Sequence, residues 1–277
     1  VKGFNMNIAI VGAGIFGMSA SIELRGRNHN VTLFDQGSIP NPLASSTDVA
    51  KAIRRTNYLP NTPYIEMVER ASKKWKEWSS YSTQPIYRQT GSLSQYSDSE
   101  FSPGSVGYES FKYLNKERKD IRILSQDQVA SKFPQFSFSQ TLEEHFVYDG
   151  WAGYLDSGLA MSVLKDIAID IGIEIRENSA VSEVYDSHGK VSITVDGVTE
   201  SFDRSIISAG PWIGRFAPEI EKGIVVSRQD MAFFRPHDQT LFRHDMMPTW
   251  AIHPIEEGWY GFPLLADGTV KIAMDLR

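Results

Sequence analysis

Six residues near the start of the chain, Gly12-Ala13-Gly14-Ile15-Phe16-Gly17, restrict its fold more than any other segment. They follow Asn7 to Val11, an apolar run that reads as a short buried strand. They precede Met18 to Arg27, which has helical spacing with Ile22 and Leu24 among its apolar positions. A second strand, Val31 to Phe34, is closed by Asp35. Strand, glycine turn, helix, strand and acid in this order predict a β–α–β dinucleotide-binding unit. Gly12 permits the tight turn, Gly14 removes a side chain where main chain approaches a pyrophosphate, and Gly17 lets the helix pack close to the sheet. The phosphates then lie at the helix N terminus, opened by Ile15 and Phe16, where free N–H groups and the dipole favour anions. Asp35 is placed to bind ribose hydroxyls, with Gln36 beside it in the candidate set. The alternative is a glycine turn that binds nothing; the ordered context argues against it.

The rest of the chain bounds the answer further. Its 277 residues exceed one typical domain. A net charge of −6 argues against a nucleic-acid groove or a polybasic membrane patch, which need clustered Lys and Arg. No apolar run approaches the ~20 residues that span a bilayer. There is no cysteine, so the chain itself has no disulfide, thiolate nucleophile or cysteinyl bond to a cofactor; a cytoplasmic location is expected. His237-Asp238 and His244-Asp245 lie in a polar stretch without a third partner at ligand spacing, so no metal is expected.

Gly37 to Thr47 reads as a loop, Pro63 to Ser79 as a helix, and Ser94 to Gly107 as a surface loop. Ser125 and Gln128 have capping-box spacing ahead of a short helix. Ser157 to Ile171 reads as an amphipathic helix and Ile173 to Arg176 as a strand. Val181 to Tyr185, Val191 to Val195 and Glu200 to Phe202 alternate like a small antiparallel sheet with turns at His188-Gly189 and Asp196-Gly197. Arg204 to Ser208 reads as a strand ending at Ala209-Gly210, and the chain after Gly223 as β-rich. Lys51 and Arg54, read as helical, are three apart and share a face; Ser45-Ser46-Thr47 before them would bring that face near a cofactor. A solvated basic face is the alternative, since Arg55 follows. Lys271, in Val270-Lys271-Ile272-Ala273-Met274, is either the outward residue of an alternating strand or a buried functional charge.

Several separate pieces carry a resemblance: the glycine turn, Ser45 to Arg54, Thr90-Gly91-Ser92-Leu93, Ser208-Ala209-Gly210-Pro211-Trp212, Arg228-Gln229, and Tyr260-Gly261-Phe262-Pro263 followed by Lys271. In their order and spacing the chain resembles the FAD-dependent amine and amino-acid oxidases: D-amino acid oxidase, monomeric sarcosine oxidase, and the saccharopine and fructosyl-amino-acid oxidases. The resemblance implies an α/β fold in which an FAD-binding Rossmann-type domain (1–90 and 146–222) is interleaved with a β-rich α+β substrate domain (91–145 and 223–277). It implies that Lys51 and Arg54 lie on the flavin face, that Arg54 holds a substrate carboxylate, and that Lys271 promotes reaction with oxygen. It sets Tyr260 against the substrate, Val181 on the adenine side, and Ala209, Gly210 and Trp212 beneath the pyrophosphate. Lys51 and the Asp48-to-Lys51 spacing resemble the fructosyl-amino-acid and saccharopine branch, as does an acid, Asp275, where sarcosine oxidases have histidine.

The implied activity is oxidation of the C–N bond of a secondary-amine amino acid, with O2 reoxidising the flavin and yielding H2O2. The resembled enzymes continue well beyond the point that matches Arg277, which implies a C-terminally truncated member, a second chain that completes it, or a defective relative. The rivals are a related dehydrogenase that passes electrons to a quinone or carrier protein, a non-catalytic FAD-binding subunit of a hetero-oligomer, and an NAD-dependent dehydrogenase.

Overall fold

A computed structural model describes residues 5–117, 119–137, 144–253 and 257–276. The chain forms two compact units. One comprises Val1–Val49 and Ser157–Ser227, the other Ala50–Asp156 and Arg228–Arg277.

The first unit is built on a parallel sheet. Its strands run in the order Arg204–Ile207, Asn7–Val11, Asn30–Phe34, Glu174–Arg176. The helices Ile15–Gly26 and Ser157–Asp170 pack against one another, and the first also packs on the strand Asn30–Phe34. The first two strands have the burial of core strands, every residue after the first being buried. The helix begins at Ile15 rather than at Met18. Its first turn holds an exposed Phe16 and a glycine, so apolar periodicity does not register it. A three-stranded antiparallel sheet (Val181–Ser187, Lys190–Val195, Val198–Phe202) shares a core with the parallel one through Ala9, Val11, Phe34, Ile193, Val195 and Phe202. Its hairpins turn where expected. His188-Gly189 and Asp196-Gly197 all have positive φ, from 50° to 81°, as the tight primed turns require.

The second unit holds a seven-stranded sheet in the order Met231–Phe234, Val270–Leu276, Glu257–Gly261, Thr249–His253, Ser92–Ser97, Glu144–Asp149, Ile121–Leu124. The β-rich end of the chain is thus most of this sheet. Helix Tyr64–Trp78 follows the sequence expectation closely, and Ser125 and Gln128 make a reciprocal capping box. Two expectations fail. The stretch expected as a surface loop from Ser94 contains the end of a central strand, with Ser94 1 % and Tyr96 3 % exposed; its serines and glutamine mask the alternation. Lys51 and Arg54 are not on a helix. Ala50–Ile53 is a strand that pairs antiparallel with Gly153–Asp156, which also pairs with Tyr87–Arg88, and Arg54 follows it. That pairing also moves 50–90 and 146–156 into the second unit, whereas the sequence reading groups them with the first. A partner about a hundred residues away leaves no mark on local periodicity.

Candidate functional site

In the first unit the glycine turn is defined by what it excludes. A Cβ on Gly17 would lie 1.9 Å from the carbonyl oxygen of Gly12, and one on Gly12, which has φ of +99°, 2.4 Å from the carbonyl oxygen of Ser208. Both are main-chain collisions that no rotamer change relieves. The end of the strand Arg204–Ile207 is therefore seated on the turn: Ser208 donates from its backbone N–H to Val11 O (2.8 Å) and from its hydroxyl to Gly12 O (2.8 Å). Ala209 continues from this contact. Gly210, at φ of +52°, opens a short 3₁₀ turn in which Trp212 N–H donates to Ala209 O at 3.0 Å. Sequence reasoning did not foresee the Ser208 contact, whose only trace is a serine at a strand end.

The helix that leaves the turn is twelve residues long and receives no side-chain cap from its N-cap residue, Gly14. Ser46 reaches it from the following loop. Its Oγ accepts from Ile15 N–H at 2.9 Å and would lie 3.1 Å from a Cβ on Gly14. Ser45 and Gln36 are exposed, as is Phe16. Asp35 is 7 % exposed. Its Oδ2 accepts from Ala13 N–H at 2.8 Å, and its Oδ1 from Gly37 N–H (2.9 Å) and Asn41 Nδ2 (2.8 Å). A carboxylate offers about four acceptor positions, and three are taken among the described residues. Val181 opens the small sheet opposite Val195, beside a register shift, and packs on the shared core. A side-chain-free turn, a helix N terminus and an acid at the end of the second strand fit the diphosphate and ribose of a dinucleotide. A concavity of about 400 Å³, lined by residues that include Asn7, Asn30, Glu174, Arg176 and Glu200, contains none of the residues of the glycine turn.

In the second unit the outstanding residue is Lys271, 1 % exposed. The alternating strand buries the face that carries Lys271 and Ala273, so the outward-facing alternative is set aside. Its Nζ donates to Ala50 O at 3.2 Å and lies 5.0 Å from the ring centre of Phe262 and 6.0 Å from that of Tyr260. Buried cations persist where aromatic faces and acceptors replace water. Tyr260 is half-buried and packs edge-on to Phe262 at 6.1 Å. Asp275 pairs in register with Gly258 on the same strand as Lys271; its side chain lies outside the described residues. Lys51 is half-buried on its strand, in register with Leu155. Arg54 is half-buried; its Nη1 donates to Thr56 O at 2.5 Å, and its guanidinium carbon lies 5.2 Å from the ring centre of Tyr58. Lys51 and Arg54 are set by a strand and its exit rather than by a helical face.

Two further clusters are invisible in the sequence. Arg55, read as part of a solvated basic run, is 2 % exposed and forks onto Asp149, which is fully buried. Tyr96 is buried against His253, and burial, partly offset by hydrogen bonding and by the charge of Arg54, pushes its phenol up to about 12. Nothing in composition separates a buried arginine from a solvated one. Among the described residues no three metal-ligating side chains cluster, and no helix is long and apolar enough to cross a membrane.

The family model described as DAO, FAD dependent oxidoreductase, matches residues 7–275. An N-methyl-L-tryptophan oxidase of Salmonella heidelberg (strain SL476) is 24% identical over 258 residues, 93% of this chain and 67% of that protein. The L-saccharopine oxidase of Schizosaccharomyces pombe is 23% identical over 229 residues, 76% of this chain and 52% of that protein. The crystal structure of glycine oxidase from Geobacillus kaustophilus superposes with a TM-score of 0.77 at 16% identity, covering 99% of this chain and 72% of that one.

Proposed function

The chain belongs to the DAO family of FAD-dependent oxidoreductases, and from that premise we propose that it oxidises the C–N bond of a secondary-amine amino acid, whether N-alkyl, cyclic, or fructosyl- or saccharopine-like. FAD, when bound, would supply the redox chemistry, hydride acceptance from the carbon that bears the nitrogen and reoxidation by O2 with H2O2 as product. The glycine turn and the start of the first helix would hold the diphosphate, with Ser45 and Ser46 beside it. Asp35 would take the ribose with Gln36 close by, Val181 the adenine side, and Ala209 to Trp212 the underside of the pyrophosphate. Arg54 would hold the substrate carboxylate: its guanidinium carries five N–H donors, and among the described residues one of them is engaged, by Thr56 O. Lys51 adds a second positive charge, and Tyr260 and Asp275 would line the substrate. Lys271 would act as the fixed cation that lowers the cost of charge developing on oxygen.

The observation that carries this reading is the burial of Lys271: its ammonium group, 1 % exposed, donates to Ala50 O and lies beside the rings of Phe262 and Tyr260, and taking a charge out of water is costly for stability alone. The test is an absorption spectrum of the purified protein, followed by anaerobic addition of N-methyl-L-tryptophan, sarcosine, pipecolate, saccharopine and fructosyl-glycine. Bleaching of the flavin band near ~450 nm by one of these, with peroxide released when air is readmitted, is expected. Bleaching without peroxide would favour a dehydrogenase with another acceptor. A yellow protein that no amine bleaches would favour a non-catalytic subunit.

A further inference from the structure

Between the strand Ala50–Ile53 and the helix Tyr64–Trp78, the residues Arg54 to Asn57 are fastened twice. The first fastening is Arg55. Its Nε and Nη2 donate to the two carboxylate oxygens of Asp149 at 3.2 and 2.6 Å, its Nη1 to Glu69 at 3.3 Å, and its guanidinium carbon lies 4.7 Å from the ring centre of Trp151. The second is Asn57. Its side chain is gripped at both ends: Tyr96 Oη donates to Oδ1 at 2.6 Å, and Nδ2 lies 3.1 Å from His253 Nε2. Tyr96 and His253 are partners in register on adjacent parallel strands, and their rings stack at 4.7 Å and 14°. The sheet therefore fixes the grip. Asn57 itself has φ of +65°, a left-handed conformation that persists where its surroundings over-determine it.

The residue between the two fastenings is Thr56, and its carbonyl is the one that Arg54 Nη1 engages. The direction of the Arg54 fork thus follows from the position of one carbonyl, and that position from the grips on either side of it. A buried ion pair contributes little net stability compared with apolar packing, so two polar anchors on so short a segment are better explained by the placement they impose. Bidentate capture of a carboxylate needs placement to within about 0.5 Å, which a loop without such support does not give.

We propose that Arg55 and Asn57 are positioning residues that aim the Arg54 guanidinium and thereby set the affinity for the substrate carboxylate. This rests on the reading of Arg54 given above. Loss of either grip lets the Thr56 carbonyl move and the fork turn. Carboxylate binding weakens, while binding of a neutral ligand of the same shape does not.

The experiment uses the FAD-loaded enzyme titrated with benzoate and with benzamide, followed by the perturbation of the flavin spectrum. The wild type should prefer benzoate. Asn57→Gly keeps the left-handed backbone and removes only the grip. It should lose roughly tenfold in benzoate affinity and less than about twofold in benzamide affinity, with unchanged flavin content. Arg55→Lys, which keeps the charge but not the fork, should lose benzoate affinity selectively as well. Tyr96→Phe, the mildest change, should shift the ratio in the same direction by less. Arg54→Ala should abolish the preference. If Arg54→Ala abolishes it while Asn57→Gly and Arg55→Lys keep the wild-type ratio, the positioning role is wrong and the Arg54 reading survives. Equal weakening of both ligands in Asn57→Gly also overturns the positioning role. A wild type indifferent to benzoate, or an Arg54→Ala variant that keeps the preference, overturns the Arg54 reading and this inference with it.

Discussion

The glycine turn of the first unit and the lysine–arginine region of the second are made in opposite ways. The turn is a surface of main chain. Its chemistry comes from atoms that are missing, and its three glycines lie within six residues of one another. The second region is a set of side chains. Lys271 and its acceptor Ala50 are 221 positions apart, and Tyr96 and Asn57 are 39 apart. A feature made by steric exclusion within one turn is written in consecutive residues. A feature made by strand pairing and burial is written across the whole chain, so it exists only once the sheet has formed.

The largest test of this contrast is Gly17→Ala. The added methyl would meet the Gly12 carbonyl oxygen at 1.9 Å. Either the helix lifts from the strand or the turn opens, and we expect a loss of about 3 kcal/mol in stability together with loss of FAD on gel filtration. Denaturant midpoints and the flavin-to-protein absorbance ratio check both. Full FAD retention would mean that close packing of helix and strand is not what shapes the phosphate site.

Next in size is Lys271→Met, which removes a charge from the second region and keeps its volume. The folded protein should keep its FAD and still be reduced anaerobically by its amine. Reoxidation by O2 should slow by about a hundredfold, the scale on which loss of one fixed electrostatic group acts. Stopped-flow reoxidation against anaerobic reduction separates the two steps. Equal slowing of both would assign Lys271 to packing.

These tests bear on how much was legible beforehand. Gly12, Gly14, Gly17 and Asp35 could be placed because the β–α–β unit is short and its steric logic local. The small antiparallel sheet was equally plain, its turns marked by His188-Gly189 and Asp196-Gly197. The sequence pattern sets Lys51 and Arg54 on a helix, because a four-residue strand that pairs across about a hundred residues has no periodicity of its own. Tyr96 falls in a segment that reads as a loop, since Ser92, Ser94 and Gln95 around it look like loop residues while the sheet buries both serines. Arg55 shows the same limit: burial decides whether an arginine is solvent-facing or structural, and burial is a property of the fold.

A smaller effect compares acid sensitivity. Burial raises the Glu69 carboxyl, but hydrogen bonds and charge from Lys119 and Arg55 outweigh it and hold it below its ordinary value. A carboxyl depressed by folding stabilises the native state above its unfolded pKa of about 4.3, and that contribution is lost as pH falls through the folded value. Glu69→Gln should therefore cost roughly 1 kcal/mol at neutral pH and little at low pH. Urea unfolding across pH reads the difference, and a cost that does not diminish on acidification would rule out the ion pairs as its source.

The smallest effect is the sharpest for the first unit. Glu177 accepts from Lys165 Nζ at 2.7 Å and from Ile39 N–H at 2.5 Å, and so pins the loop that leaves Asp35. The hydrogen bond from Lys165, then that from Ile39, holds its carboxyl below the ordinary range, so its contribution also fades as pH falls through the folded value. The pair is partly exposed, and Glu177→Gln should cost only about 0.5 kcal/mol. FAD retention is the informative readout. Asp35 is already fixed by Ala13, Gly37 and Asn41, and the glycines are fixed by main chain, so the phosphate turn should not depend on this pair. An unchanged flavin content in Glu177→Gln is expected. A loss of FAD out of proportion to the loss of stability would show that the turn, too, is held from a distance, and the contrast between the two regions would be one of degree.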